Sequence, residues 1–229
     1  MEPITAITTG LAVTNSAIQT GTAGLAWFEK MAPATFSMRR DNAEFKILQN
    51  RVELAKKYDI YRQAVGPSNV DRVLPLSFMR PLTEAAELEE DDSLQAKWAS
   101  LIVNAQNEKS GVDPRPAYVS TLRELSALDA KILDGIYSDR NLTGSISTDQ
   151  LPSAVAAIPE RREQTDPKKL SSEVLASLAN LQRLGCLNFS ESWSGEQSPF
   201  SISRTLYGQL FVRACTVLEA EIESADKKP

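Results

Sequence analysis

The sequence of 229 residues contains no histidine. Histidine is the commonest general base, a partner of serine and cysteine nucleophiles and a frequent zinc ligand, so its absence removes three kinds of site. Two cysteines are present, Cys186 and Cys215, too few for a disulfide framework or a four-cysteine zinc site. Both lie among apolar residues, which favours buried thiols in a reducing compartment.

Glycine-rich phosphate loops are also missing, because none of the ten glycines has GxGxxG or GxxxxGK spacing. The dense carboxylates between Glu84 and Asp92 are the remaining candidates for metal-dependent chemistry. Helix capping explains them better: Asp92 or Ser93 is placed to cap a helix that starts near Leu94, and acidic residues stabilise a helix amino terminus. We therefore expect no enzyme, no cofactor, no metal and no small-molecule substrate.

An excess of positive charge is missing as well, since 30 Asp and Glu outnumber 25 Lys and Arg and the net charge is −5. An acidic chain has no broad attraction for nucleic acid or anionic lipid. Met1, Glu2 and Pro3 lack the positive charge that precedes the apolar part of a secretory signal. These features predict a cytoplasmic protein. Contact with the periphery of the inner membrane is a second hypothesis, which rests on the first apolar segment.

That segment, Ile4 to Phe28, has no charged residue. Six threonines, together with Asn15, Ser16 and Gln19, interrupt its apolar residues, so it lacks the continuous hydrophobicity of a bilayer span. Four apolar residues instead recur every seven positions, which indicates a helix-pairing seam: Ile4, Leu11, Ile18 and Leu25. Three interpretations stay open, namely a helix docked on its own domain, self-association, and membrane disruption by an assembled bundle.

The rest of the first half is predicted to be helical. After Pro33, residues 36–64 place Phe45, Leu48, Val52 and Ala55 at helical spacing, which predicts a buried face on a second helix. A later helix has Trp98 as the largest member of its apolar face, so it is predicted to form the centre of this half. Residues 1–125 are therefore interpreted as a helical-bundle domain.

The second half, residues 126–229, has a different order of elements. Ser126 and Asp129 have capping-box spacing, and short helices are predicted near 148–156 and at 171–184. Two apolar runs around a glycine-containing turn, 184–189 and 200–203, predict a β-hairpin, and a last helix follows from Leu206. The predicted fold is mainly α, an amino-terminal helical bundle half followed by a winged-helix-like half with one β-hairpin.

A winged helix raises the hypothesis of DNA binding, with Lys168, Lys169 and Arg183 as the phosphate contacts. Acidic residues in the same helix, insert and wing weaken it, and winged helices also serve as protein-interaction modules. A protein partner or a second copy of the chain is therefore the favoured partner, and nucleic acid is the alternative.

Several motifs follow one another between Asp71 and Tyr137: the proline-started helix Arg80–Leu88, an acidic link, the core SLQAKWASLIVNA and the later LRELSALDAKIL. In this order they resemble the Abi-alpha (abortive infection alpha) family of bacterial phage-defence proteins. The ending LANLQRLGCLNF…FSISRTLYGQLFVRAC is similar too, although residues 203–208 depart from the shorter common form. The resemblance spans about residues 36–218.

The resemblance implies antiphage defence and assigns no catalytic group. The predicted function is an abortive-infection-type protein that acts through protein or membrane contacts and self-association. One alternative is a winged-helix DNA-binding regulator of a defence locus. Another is a membrane-disrupting effector that uses residues 4–28.

Overall fold

The computed structural model describes residues 42–138, 144–153, 156–157, 170–191 and 197–217. These ranges contain seven α-helices and a small antiparallel sheet. The helices are α1 Asn42–Val65, α2 Leu76–Ala86, α3 Asp92–Gln106, α4 Pro116–Arg123, α5 Ala127–Ser138, α6 Ser172–Arg183 and α7 Leu206–Ala214. The strands are β1 Ile146–Ser147, β2 Ala156–Ala157, β3 Leu187–Glu191 and β4 Gln197–Arg204. The prediction of a mainly helical fold with a β-hairpin is confirmed.

Helix α3 is the centre of the molecule. Trp98, Leu101 and Ile102 are at most 1% exposed, as expected for the most apolar face of the chain. The helix begins earlier than predicted, because Asp91 is its N-cap and accepts hydrogen bonds from the backbone N–H groups of Ser93 and Leu94. The prediction that Asp92 or Ser93 caps this helix is therefore wrong by one or two residues.

Helix α1 turns a different face to the core than its sequence suggests. Leu54 and Tyr58 are buried, and the Tyr58 hydroxyl donates to Oε1 of Gln106 in α3 at 2.9 Å. Ala55 is buried as predicted, but Phe45 and Leu48 are 63% and 53% exposed. The prediction that these two residues belong to the buried face is wrong, because α3 packs against the Leu54–Tyr58 side.

The sheet has the order β2-β1-β4-β3, with antiparallel pairing throughout. Strands β3 and β4 form the predicted hairpin, and β1 pairs with β4 through Ile146 and Ile202, both fully buried. The sequence of α5, β1, α6 and the hairpin is compatible with a winged helix. The short helix predicted near 148–156 is not formed, since residues 149–153 are in turns and Ala156–Ala157 is a strand.

One hydrophobic core runs through both halves, from Leu54 in α1 to Val217 after α7. Two polar contacts reinforce it at α3. The Lys97 ammonium lies 2.5 Å from the Asp134 carboxylate in α5, and Asn104 donates to the carbonyl oxygens of Ala214, the last residue of α7, and of Thr216 just after it. In the ranges described above, no helix has the combination of length and apolarity that crossing a bilayer requires.

Candidate functional site

Six of the seven predicted interaction residues lie outside the described residues: Ile4, Leu11, Ile18, Leu25, Lys168 and Lys169. The seventh, Arg183, is the last residue of α6. Its guanidinium Nη2 donates to Oε2 of Glu124 at 2.5 Å and to Oδ1 of Asn180 at 2.7 Å. Both side chains of the ion pair are about half exposed, so the Arg183 guanidinium is paired with a carboxylate at the protein surface.

The outer face of α6 is the surface that would enter a DNA groove in a winged helix. Its exposed positions are small or paired in charge: Ser172, Glu173, Ala176, Ala179 and Arg183. One carboxylate and one guanidinium leave this face without net charge. Phosphate binding needs an excess of cations, which this part of the structure does not provide.

An open groove of about 460 Å³ lies between α6 and the junction of α4 with α5. One of the residues that line it is Asp129, which is 3% exposed. Oδ2 of Asp129 accepts from the backbone N–H of Ser126 at 2.8 Å and from Nδ2 of Asn180 at 2.9 Å, and the Ser126 hydroxyl accepts from the Asp129 N–H. This is a helix capping box joined to α6, as the Ser-x-x-Asp spacing predicts.

The acidic run that follows α2 pairs with cations of α1. Lys46 lies 3.5 Å from Glu90, Arg51 lies 2.8 Å from Glu87, and Lys57 lies 2.6 Å from Asp92. The intervening Glu89 accepts from the backbone N–H groups of Glu90 and Asp91. Within the described ranges, no three His, Cys, Asp or Glu side chains are grouped as metal ligands would be. The run therefore joins α1 to the start of α3.

A second open groove, of about 490 Å³, lies between the amino end of α1 and the start of α3. Its apolar wall consists of Phe45, Leu48 and the half-buried Val52, which we name the α1 stripe. Its polar rim is paired in charge, because Glu53, Glu90 and Asp92 each lie within 4 Å of a lysine of α1. Sequence periodicity finds these apolar residues but assigns them to the core, so their exposure is visible only in the structure.

The two thiols lie in the core of the second half. Burial raises the pKa of both Cys186 and Cys215 to about 12. They are therefore protonated at neutral pH and are poor nucleophiles. This arrangement agrees with the interpretation of both cysteines as small buried hydrophobes.

The family described as abortive infection alpha matches the chain over residues 44–215. Neither a curated protein nor a solved structure gives a significant match. The matched region begins in α1 and ends one residue after α7, so it contains both the helical half and the hairpin. The seam residues Ile4 to Leu25 lie before it.

Proposed function

The chain belongs to the abortive infection alpha family, and from this we propose that it is a bacterial antiphage defence protein that acts through protein contacts and self-association, without catalysis. The observation that carries the proposal is the family match over nearly the whole described chain. The exposed α1 stripe supports contacts as the mechanism, because an apolar surface on a folded helix is typical of an interaction site. We further propose that the protein acts in the cytoplasm.

Self-association is assigned to the seam of Ile4, Leu11, Ile18 and Leu25. An apolar repeat of seven residues is the pattern through which helices pair. Sedimentation over a wide range of protein concentration tests this assignment. The intact chain is expected to associate with increasing concentration, and a chain without residues 1–30 is expected to stay monomeric. A monomer at every concentration in both would contradict it.

A phage-plating assay tests the biological role. Cells with the intact gene are expected to reduce plaque formation, and deletion of residues 1–30 is expected to abolish this protection. Reversing the charge of Lys168 and Lys169 to glutamate is the comparison, and we expect it to leave protection unchanged. Loss of protection on Glu84→Gln, which changes an exposed carboxylate, would instead indicate carboxylate chemistry.

DNA binding by a regulator of a defence locus is the second candidate, and the winged-helix-compatible order of α5, β1, α6 and the hairpin favours it. The outer face of α6 has no net positive charge, so DNA binding is less well supported than protein contacts. Fluorescence anisotropy with a labelled duplex at low salt, where counterion release most favours association, distinguishes the two. Salt-sensitive binding that Lys168→Glu and Lys169→Glu abolish would establish the regulator.

A membrane-active effector is the remaining alternative and rests on residues 4–28, which lie outside the described residues. Its test is leakage of a dye from liposomes of anionic lipid by the intact chain. Leakage that disappears on deletion of residues 1–30 would support this alternative over protein contacts.

A further inference from the structure

We propose that the groove between α6 and the junction of α4 with α5 binds a primary ammonium group at the carboxylate of Asp129, and that a lysine side chain of a protein partner presents this group. The proposal deepens the proposed function, on whose protein contacts it rests for the kind of partner. Its test uses the purified chain, so its failure is distinguishable from a failure of phage protection.

Asp129 is a buried carboxylate that has no cation beside it. The residue is 3% exposed, and none of the ion pairs among the described residues includes it. A buried carboxylate usually pairs with a cation, because taking its charge out of water costs free energy. Asp129 instead accepts hydrogen bonds from the Ser126 N–H and from Nδ2 of Asn180, both at Oδ2. Its negative charge therefore has no counter-charge in the described chain.

The second oxygen of this carboxylate, Oδ1, is buried and has no hydrogen-bond partner in the part of the chain that the structure describes. Buried polar atoms of native proteins nearly always have a partner. The carboxylate belongs to the groove wall, since Asp129, Ser126 and Asn180 all line the groove. Oδ1 is therefore an acceptor that a donor bound in the groove can satisfy.

A single open acceptor selects an ammonium over other cations. A guanidinium binds a carboxylate best through both oxygens, and Oδ2 of Asp129 is already occupied. An ammonium needs one carboxylate oxygen for one of its three donors. The hydroxyl of Ser177, a 6% exposed residue of the same groove, can accept from another. A metal ion fits less well, since no three acidic or thiol side chains of the described ranges lie together.

The shape and charge of the groove suit a lysine side chain. Its volume of about 460 Å³ is enough for a side chain and the backbone that flanks it. Leu125 and Ala176 give it an apolar wall on which the methylenes of a lysine can pack. Of the two arginines nearby, Arg183 is paired with Glu124, and Arg123 is exposed, so that solvent screens its charge.

Titration of the isotope-labelled full chain with the peptide acetyl-Gly-Lys-Gly-amide, followed by NMR, tests the proposal. We expect saturable shifts of the backbone amides of Ser126, Asp129 and Ser177. The dissociation constant should be millimolar, because Oδ1 is covered in the unbound groove and a side chain of the wall must first change rotamer. The matched control is the same peptide with its lysine acetylated, which lacks the positive charge and should cause no shift. No saturable shift with the lysine peptide would mean that water satisfies Oδ1, and would overturn the proposal.

Two variants and a control locate the binding. Asp129→Asn keeps a capping oxygen for the Ser126 N–H but loses the charge, so it should weaken binding by about tenfold or more. Ala176→Leu adds bulk at an exposed position of the groove wall and should also weaken binding, with Asp129 intact. Ala179→Leu is the control, because Ala179 is exposed on the same helix but does not line the groove, and its binding should be unchanged. Equal binding by all three variants would overturn the site.

Circular dichroism checks that each variant folds. Should Asp129→Asn fail to fold, Ala176→Leu against Ala179→Leu decides, since both changes are at exposed helix positions.

Two further ligands separate the sources of the ammonium. Butylammonium carries the end of a lysine side chain without a peptide, and it is expected to bind more weakly than the lysine peptide because it has no backbone to contact the groove. Equal affinity would show that the groove takes a free amine, and would overturn the assignment to a protein partner. The arginine form of the peptide is also expected to bind more weakly, and tighter binding by it would overturn the choice of an ammonium.

Discussion

At the residue scale, the Tyr137 hydroxyl joins three elements of the second half. It donates to the carbonyl oxygen of Cys186 at 2.7 Å and accepts from the backbone N–H of Thr205 at 3.0 Å. The Thr205 hydroxyl in turn accepts from the N–H of Gly208 and caps α7. Burial raises the pKa of Tyr137, so this hydroxyl stays protonated as a donor. The Thr-x-x-Gly spacing of Thr205 and Gly208 is therefore the start of α7, and it packs against Tyr137.

Gly208→Ala is expected to lower the free energy of unfolding by about 1–3 kcal/mol, the usual cost of overpacking. A Cβ at this position would lie 2.2 Å from both the Cys186 carbonyl oxygen and the Tyr137 hydroxyl. Urea unfolding followed by circular dichroism measures the loss. The Cβ would also lie 2.9 Å from Cζ of Tyr137. Adding Tyr137→Phe removes one of these three close contacts, so the double variant should be less destabilised than the sum of its parts. Strict additivity would contradict this explanation.

Asp91→Ala is expected to cost about 1 kcal/mol at pH 7, because it removes the N-cap of α3. The hydrogen bond from the Ser93 hydroxyl, followed by that from the Leu94 N–H, lowers the pKa of Asp91 in the folded protein. A lowered pKa stabilises the fold above the unfolded pKa of about 3.9. This stability is lost as the pH falls through the folded pKa.

Urea unfolding at pH 7 and at pH 3 checks this prediction for Asp91. The difference between the native chain and Asp91→Ala should shrink at the lower pH. Asp91→Asn keeps a capping oxygen without a titrating group, so its stability should be near that of the native chain at pH 7. A difference that grows at pH 3 would show that the carboxylate is not the cap.

At the element scale, α1 shows what the sequence can and cannot predict. Its periodicity correctly indicates a helix, and the capping pattern of Ser126 and Asp129 correctly locates the start of α5. The sequence predicts the wrong buried face, because an apolar period identifies a row of apolar residues but not the element that covers it. Tyr58 contacts Gln106 of α3, and Arg51 contacts Glu87 of the acidic run. Both side chains are polar, so the sequence pattern places them on the surface.

Glu87→Gln is expected to destabilise the protein by about 1.5–3 kcal/mol, the usual contribution of a hydrogen bond to a charged group. The Glu87 side chain is 7% exposed and its Oε2 accepts from Nη2 of Arg51 at 2.8 Å. The matched control is Glu84→Gln, whose partner Arg80 is 72% exposed, and its effect should be below about 0.5 kcal/mol. Thermal unfolding in low and high salt measures both. Equal effects of the two variants would refute a role for burial.

At the scale of the whole molecule, α3 connects the two halves that the sequence separates at residue 125. Its apolar face belongs to one core that continues into α5, α6 and β4. Lys97 and Asn104 extend from the same helix to α5 and to the end of α7. The order of elements is readable from the sequence, but these contacts join residues as much as 112 positions apart, beyond what local patterns encode.

Asn104→Ala tests whether both halves unfold together. Nδ2 of Asn104 donates to the carbonyl oxygens of Ala214 at 3.0 Å and Thr216 at 2.9 Å, and the residue is 6% exposed. Removing the donor takes away the hydrogen bond to the buried Ala214 carbonyl, which should cost about 1–3 kcal/mol. Because α3 and α7 share one core, we expect native-state hydrogen exchange to show the same loss of stability in the slowest amides of α2 and of α6.

Asn188→Ala is the control for this experiment, since Asn188 is exposed on β3 and its replacement should change stability by less than about 0.5 kcal/mol. A loss confined to α6 and α7 would mean that the second half opens alone, as independent domains do. A loss shared by α2 and α6 would mean that the chain folds as one cooperative unit. In that case a partner that binds either half adds its binding free energy to the stability of both.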